Sequence, residues 1–225
     1  MRYYPAFLDL HGKRCVVVGA GGVGRRKLQT LLKCGPASVL LVDAAPADDA
    51  LRALMASGPV THACRAFADS DLDGAFLVIA ATGDAAANAR VAALCRDNNI
   101  LCNVVDAPEA GTFIVPAHIE QDEVVVALST SGHSPALARR IKRDLQDMLG
   151  SRYTGLVAVM ARLRPLVLGL GDPTESNTAV FRAVVESDLA DTLAGGDGEA
   201  ARMILRRIVP PRLHDSIEEV LHGLV

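Results

Sequence analysis

No apolar run in the 225 residues reaches the ~18 positions a membrane-spanning helix requires, so no membrane span is expected. Charge of one sign is also scarce. There are 23 Lys and Arg against 26 Asp and Glu, a net charge of −3, which gives no electrostatic case for nucleic acid or an anionic membrane. The first 13 residues contain Asp9 and lack the layout of a signal peptide. Disulfide patterning is missing too. Cys15, Cys34, Cys64, Cys95 and Cys102 are scattered, odd in number and without a Cys-x-x-Cys pair, so reduced thiols in a cytoplasmic protein are the economical reading. His11, His62, His118, His133, His214 and His222 have no metal-ligand spacing to one another or to a cysteine, and no metal cage of the protein's own is expected. A nucleophile-elbow motif is absent, as are internal repeats and long disordered tracts.

Half of the residues are hydrophobic, which supports a sizeable core, and the length suits one large domain or two to three small ones. The densest signal is Val16-Val17-Val18 running into Gly19-Ala20-Gly21-Gly22-Val23-Gly24. A buried strand enters Gly-x-Gly-x-x-Gly and an amphipathic helix follows. Gly19 takes the tight turn, Gly21 lets the backbone approach a pyrophosphate, and Gly24 lets helix and strand pack closely. The helix N-terminus then offers N–H groups to phosphate oxygens. A second apolar strand, Val39-Leu40-Leu41-Val42, ends at Asp43 and Ala44, where an acid can accept hydrogen bonds from an adenosine ribose. An acid at that position disfavours a ribose 2′-phosphate, so NAD is expected over NADP. Arg25, Arg26 and Lys27 bring positive charge that softens this preference.

The first half alternates strands (15–18, 39–42, 60–64, 75–81, 101–105) with helices (23–34, 48–56, 85–97), the pattern of a parallel sheet with right-handed crossovers. Ligands of such sheets gather beyond the carboxyl ends of the strands, where Asp43, Thr82 and Asp106 fall. After Pro108 the pattern changes. Residues 112–115 and 124–128 read as strands, joined by a connection containing Gln121-Asp122-Glu123 with no intervening helix, and so as an antiparallel pair. Ser134-Pro135 opens a helix with an apolar stripe of Leu137, Ile141, Leu145 and Met148 that ends at Gly150. From residue 151 the periodicity is helical only, with breaks at residues 169–173, at Gly195-Gly196 and at Pro210-Pro211. The expected architecture is therefore an α/β Rossmann-type domain over 1–115, a small α+β region over 116–150, and an all-helical domain over 151–225.

Two further segments carry candidate chemistry. Asp106, in Asn103-Val104-Val105-Asp106-Ala107-Pro108, stands where cofactor and substrate should meet, or else caps a turn before the proline. Ser129-Thr130-Ser131-Gly132-His133-Ser134-Pro135 places hydroxyls before a helix that carries Arg139, Arg140, Lys142 and Arg143. That loop could hold a carboxylate or phosphate. The alternative is an ordinary capped helix with a solvated basic face.

In order along the chain, these pieces resemble the siroheme synthase dehydrogenase–ferrochelatase family. The resemblance rests on Tyr4-Pro5-Ala6-Phe7-Leu8 with Leu10, residues 18–24 with Arg26-Lys27, Ile79-Ala80-Ala81-Thr82, Cys102 to Pro108, Phe113 to Pro116, and Ser129 to Arg139. It is good to about residue 150 and weak beyond. It implies NAD-dependent oxidation of the tetrapyrrole precorrin-2 to sirohydrochlorin, with ferrous iron inserted as well by some members. It further implies a homodimer, and it makes the aspartate at position 106 the essential catalytic residue. The position of Thr130 is a serine in bifunctional relatives, where it can be phosphorylated. The substrate carries eight carboxylates, which makes Thr130, Ser131, His133, Ser134 and Arg139 its expected anchors. Gly19, Gly21, Gly22, Val23, Gly24, Asp43, Ala44 and Thr82 are the expected cofactor contacts. The hydride chemistry has visible motifs and the chelation does not, so oxidation alone is the leading expectation, with the bifunctional enzyme second. An NAD-sensing binding module is the alternative of another class. Such a module needs neither the Asp106 segment nor the hydroxyl loop.

Overall fold

The computed structural model describes residues 3–121, 123–150 and 152–225. The chain divides into two compact units, residues 1–115 and 116–225.

The first unit is built on strands that are apolar almost throughout, because both faces of the sheet are covered. Its elements are β1 (Arg14–Val18), α1 (Gly22–Lys33), β2 (Ser38–Asp43), α2 (Asp49–Ala56), β3 (Val60–Cys64), a 3-10 turn at Asp69–Leu72, β4 (Leu77–Ala80), α3 (Ala85–Asp97) and β5 (Leu101–Val104). The strands pair in parallel in the order β3-β2-β1-β4-β5. Leu28 and Leu31 of α1 and Leu51 of α2 pack with Val17, Leu41 and Ile79 on one face. On the other face, Val91, Ala92 and Cys95 of α3 pack with Val16, Val78 and Val104. Val18 is in register with Val42 and with Ala80, and Ala80 with Val104, so β1, β4 and β5 end in one row and β2 ends one residue beyond it. The crossover from β3 to β4 reverses the strand order between β1 and β4, the position at which open α/β sheets leave a crevice.

Residues 112–115, expected as a strand, are not one. They run beside β5 and are held there partly by side chains. The Thr112 and Phe113 N–H groups both donate to Cys102 O, Thr112 Oγ1 accepts from the Cys102 N–H (2.8 Å), and Asn103 Nδ2 donates to Phe113 O (3.1 Å). Phe113 packs on the sheet core, and Pro116 has no N–H to extend a ladder. The strand opposite residues 124–128 is instead 117–121.

The second unit therefore opens with an antiparallel hairpin, β6 (Ala117–Gln121) with β7 (Val124–Leu128). Asp122 of the expected connection lies outside the described residues, as do Met1 and Ser151 at the expected domain limits. There follow α4 (Pro135–Leu149), α5 (Thr154–Gly169), α6 (Thr174–Glu186), α7 (Leu189–Ala194), α8 (Gly198–Ile208), a 3-10 stretch at Pro211–Ser216, and α9 (Ile217–Leu221). Residues 116–150 and 151–225, separate in the sequence reading, fall within this one unit. Its core is a helical stripe of α5, Leu156, Val159, Leu163 and Val167, packed with Val184, Leu189, Leu205 and Ile217.

An ion pair between the exposed Arg65 and the buried Asp71 ties the segment after β3 to the turn before β4. Asp71, 3% exposed, receives Arg65 Nη1 at 2.8 Å and Nη2 at 2.6 Å, and the Ala68 N–H at 2.9 Å. The Arg65 guanidinium, aided by that N–H, holds the Asp71 carboxyl below the usual carboxylate range. A depressed native pKa stabilises the fold above the unfolded value of ~3.9, and that stability is lost as pH falls through the lower native value. Asp71→Asn is expected to lower unfolding free energy by about 1–3 kcal/mol at neutral pH. The gap to the unsubstituted protein should close in urea melts taken at successively lower pH below ~4.

Candidate active site

The loop after β1 is shaped by two close approaches. Gly19 has φ +102°, and a Cβ there would sit 2.5 Å from Ala81 O. A Cβ on Gly24 would sit 1.9 Å from Gly19 O, so a side chain at 24 requires that carbonyl to move. Gly21 and Gly22 are the opposite case, with nothing within 4 Å of a Cβ position. The glycines thus divide between packing the turn and leaving its outer side open.

Three helices begin beside this edge, and their N-termini differ. Asp48 caps α2 by accepting from the Leu51 N–H, and Asp84 caps α3 by accepting from the Ala86 and Ala87 N–H groups. At the N-terminus of α1, Gly21 supplies no side-chain cap and the first turn holds no acid. The positive end of α1 is left for an anion from outside the chain. Arg25, one of the charges expected to soften cofactor preference, is committed elsewhere: Nε donates to Ala20 O and Nη1 to Asp48, each at 2.8 Å. Lys27 is half-buried, and desolvation, with Arg26 adjacent, pulls its amine below the usual range.

Asp43 ends β2 with both oxygens oriented. Oδ2 accepts from the Ala20 N–H (2.6 Å) and Oδ1 from the Ala45 N–H (2.8 Å), leaving each a lone pair for a ligand hydroxyl. A cavity of about 400 Å³ joins these parts. Its lining includes Gly19, Gly21, Asp43, Ala44 and Thr82. Arg65 and Phe67, beyond the end of β3, also line it. Neither was anticipated; they follow the strand that neighbours β2, and that adjacency is the signal that could have found them. Open glycines, an uncapped helix end and an oriented acid in one cavity fit a dinucleotide's pyrophosphate and ribose. Val23 is half-buried in the first turn of α1.

Asp106 leaves the sheet two residues after β5, directly after Val105, whose N–H donates to Ala80 O. Its Oδ1 accepts from Asn88 Nδ2 at 3.0 Å. Asn88 in turn binds Thr82, whose N–H (3.1 Å) and Oγ1 (2.6 Å) both donate to Asn88 Oδ1. One buried amide therefore links Asp106 to the residue that lines the cofactor cavity. Asn88 was missed because a polar residue in an alanine-rich helix reads as surface. Its spacing from Val91, Ala92 and Cys95 places it on the buried face.

The hydroxyl loop lies in the second unit. Thr130 Oγ1 donates to Ser134 O (3.1 Å) and accepts from the Ser134 N–H (3.3 Å), and Ser134 Oγ caps α4 by accepting from the Leu137 N–H (3.1 Å). Ser131 and Gly132 take positive φ of 53° and 84°. His133 and Arg139 are exposed, whereas Arg140 is paired with Asp144 at 2.8 Å. Among the described residues, no three or more His, Cys, Asp or Glu side chains converge on a possible metal position.

Fold and loop together define a Rossmann-type dinucleotide-binding domain joined to a mainly helical unit. Residues 6–117 match the family model described as "Putative NAD(P)-binding". The chain is 36% identical over 214 residues to a siroheme synthase of Pseudomonas fluorescens, covering 94% of this chain and 46% of that protein. It is 34% identical over 225 residues to a siroheme synthase of Methylobacillus flagellatus, covering 100% of this chain and 47% of that one. A solved structure titled "SirC, precorrin-2 dehydrogenase" superposes with a TM-score of 0.76 at 24% identity, over 92% of this chain and 98% of its own. The chain is similar to these siroheme synthases over nearly all of its own length and spans about half the length of the curated relatives it matches.

Gly19→Ala tests the loop. A positive φ and a backbone clash together oppose any side chain there. Titration with NADH, followed by fluorescence, should show affinity falling by about tenfold or more, the equivalent of 1.4 kcal/mol. Gly21→Ala, with open space around its Cβ, should leave the fold's melting temperature unchanged.

Proposed function

We propose that this protein oxidises precorrin-2 to sirohydrochlorin with NAD as hydride acceptor. The observation that carries the proposal is the hydrogen-bonded link from Asp106 through Asn88 to Thr82, which ties a carboxylate to the rim of the dinucleotide cavity. The relatives named siroheme synthase and the fold shared with the precorrin-2 dehydrogenase structure support the same reading.

The oxidation removes one hydride and one proton from the reduced macrocycle. Bound NAD supplies the hydride acceptor. The protein's part is to place the macrocycle, exclude water and take the proton. Asp106 takes it from a ring position of the substrate, as a carboxylate held at the edge of the sheet. The exposed Arg139 and the hydroxyls of Ser131 and Ser134, with His133, recognise the substrate's carboxylates, while the Thr130 hydroxyl, expected among these anchors, is spent on Ser134 and shapes the loop. Asp43 accepts from the adenosine ribose hydroxyls, and the open N-terminus of α1 receives the pyrophosphate.

The active form is a homodimer. A two-stranded hairpin is marginal by itself. Here β7 leaves Val125 exposed, and α4 buries only Ala138 while exposing Leu137 and Met148 of its apolar stripe. A second copy covering these residues removes that apolar surface from water. The variant Leu137→Glu should therefore sediment as a monomer, with its first unit still binding NADH. A dimer of unchanged affinity would place the interface elsewhere.

Asp106→Asn tests the chemistry. NADH absorbance after addition of precorrin-2 should grow at least about 100-fold more slowly than in the unsubstituted protein. The NADH dissociation constant should not change. Near-normal turnover would remove Asp106 from the reaction, and tight NAD binding without turnover in the unsubstituted protein would point to a sensor.

A further inference from the structure

Asn88 is a buried polar residue for which neither the cofactor loop nor the helix that carries it has a use. It is 1% exposed, on the face of α3 that packs against the sheet. An amide in that position is costly unless every one of its hydrogen-bonding positions is filled. All four are. The oxygen accepts from the Thr82 N–H and from Thr82 Oγ1, and the nitrogen donates to Thr82 O (3.1 Å) and to Asp106 Oδ1 (3.0 Å). A backbone N–H is a donor in every protonation state, so Thr82 fixes which end of the amide is oxygen. The nitrogen end, facing Asp106, is then fixed as well. Asn88 can only donate to Asp106.

We propose that Asn88 is the positioning residue of the reaction. It pins Oδ1 of Asp106 to the end of β4 and leaves Oδ2 as the oxygen that receives the substrate's proton. The inference rests on Asp106 being the proton acceptor. Its content is the division of labour between the two oxygens. Oδ1 is engaged by a group that offers hydrogens and cannot accept one, so a proton arriving at the carboxylate is carried on Oδ2. Asn88 also binds both the N–H and the carbonyl of Thr82, so the carboxylate is held relative to the cofactor cavity rather than to a mobile loop.

The test is a double-mutant cycle of Asn88→Asp and Asp106→Asn in the full chain. Asn88→Asp keeps an acceptor for the Thr82 N–H and hydroxyl and removes the donor to Asp106, but it sets a carboxylate oxygen against Oδ1 in its place. Asn88→Ala, which removes the donor without adding charge, is run in the same cycle and should show the same loss. We expect kcat to fall by about 10- to 100-fold, as for a misplaced reacting group, with KM for precorrin-2 and NADH affinity little changed. In the Asp106→Asn background the same substitution should cost nothing further, because the group it positions is gone. Equal losses in both backgrounds, or a normal kcat for Asn88→Asp beside an inactive Asp106→Asn, would overturn the role of Asn88 alone. Normal turnover in Asp106→Asn would overturn the reading of Asp106 and this inference with it. A measurement independent of turnover and of the stability of Asn88 variants is the side-chain amide NMR signal of Asn88. It should shift between the unsubstituted protein and Asp106→Ala, and an unmoved signal would rule out the contact.

Discussion

Five parallel strands must release the chain at one edge, and everything functional in the first unit follows from that constraint. Val18, Val42, Ala80 and Val104 stand in register in a single row, three of them the last residues of their strands and Val42 the last but one. The next residues of each strand are therefore neighbours although they are far apart in sequence. Gly19 comes close to Ala81 because β1 and β4 are adjacent, and that contact is what forbids a side chain at 19. Asp43 reaches the Ala20 N–H because β2 is the other neighbour of β1. Asp106 reaches Asn88 because β5 lies beside β4, whose following helix is α3. None of these contacts is local, and each is set by strand order.

Electrostatics at that edge is a matter of which dipoles are already satisfied. The chain caps α2 and α3 with its own aspartates and leaves α1 uncapped. An acidic residue in the first turn of α1 would stabilise the helix and repel a pyrophosphate. The commitment of Arg25 to Asp48 and Ala20 O works in the same direction, because it stiffens the loop without placing a free guanidinium in the cavity. The open helix end is thus a stability deficit of the protein without its ligand, recovered when an anion is bound.

Much of the fold was legible because strands buried on both faces leave continuous apolar runs, and apart from Arg14, Ser38 and Asp43 at the strand ends β1, β2 and β4 have nothing else in them. The glycine loop was legible because close backbone approach admits almost no other residue. Residues 112–115 misled because an apolar run of strand length says nothing about partners. Here the ladder is replaced by the Thr112 hydroxyl and the Asn103 amide, and Pro116 breaks what would continue it. In the site, Asp43 and Asp106 were visible as acids after apolar strands. Asn88 and Arg65 were not, since the link from Asn88 to Asp106 and the place of Arg65 in the cavity lining both depend on strand order. The shared lesson is that sequence periodicity reports burial, whereas a site depends on which buried or half-buried polar groups are brought into contact.

Asn88 also bears on the choice between an enzyme and a nucleotide-sensing module. Nucleotide binding alone needs the loop, the open helix end and Asp43. It does not need a carboxylate on the far side of β4 from Asp43, nor a buried amide to orient one of its oxygens. A saturated polar network inside an apolar core is tolerated because it specifies a single arrangement, and it is expensive when any one partner is missing. An arrangement of that kind, aimed at an acid on the strand edge next to the cofactor cavity, has a physical purpose if the position of that acid matters to a reacting atom. The helix that looks most ordinary in the sequence, the alanine-rich α3, carries the amide that links the carboxylate after β5 to Thr82 at the rim of the cavity.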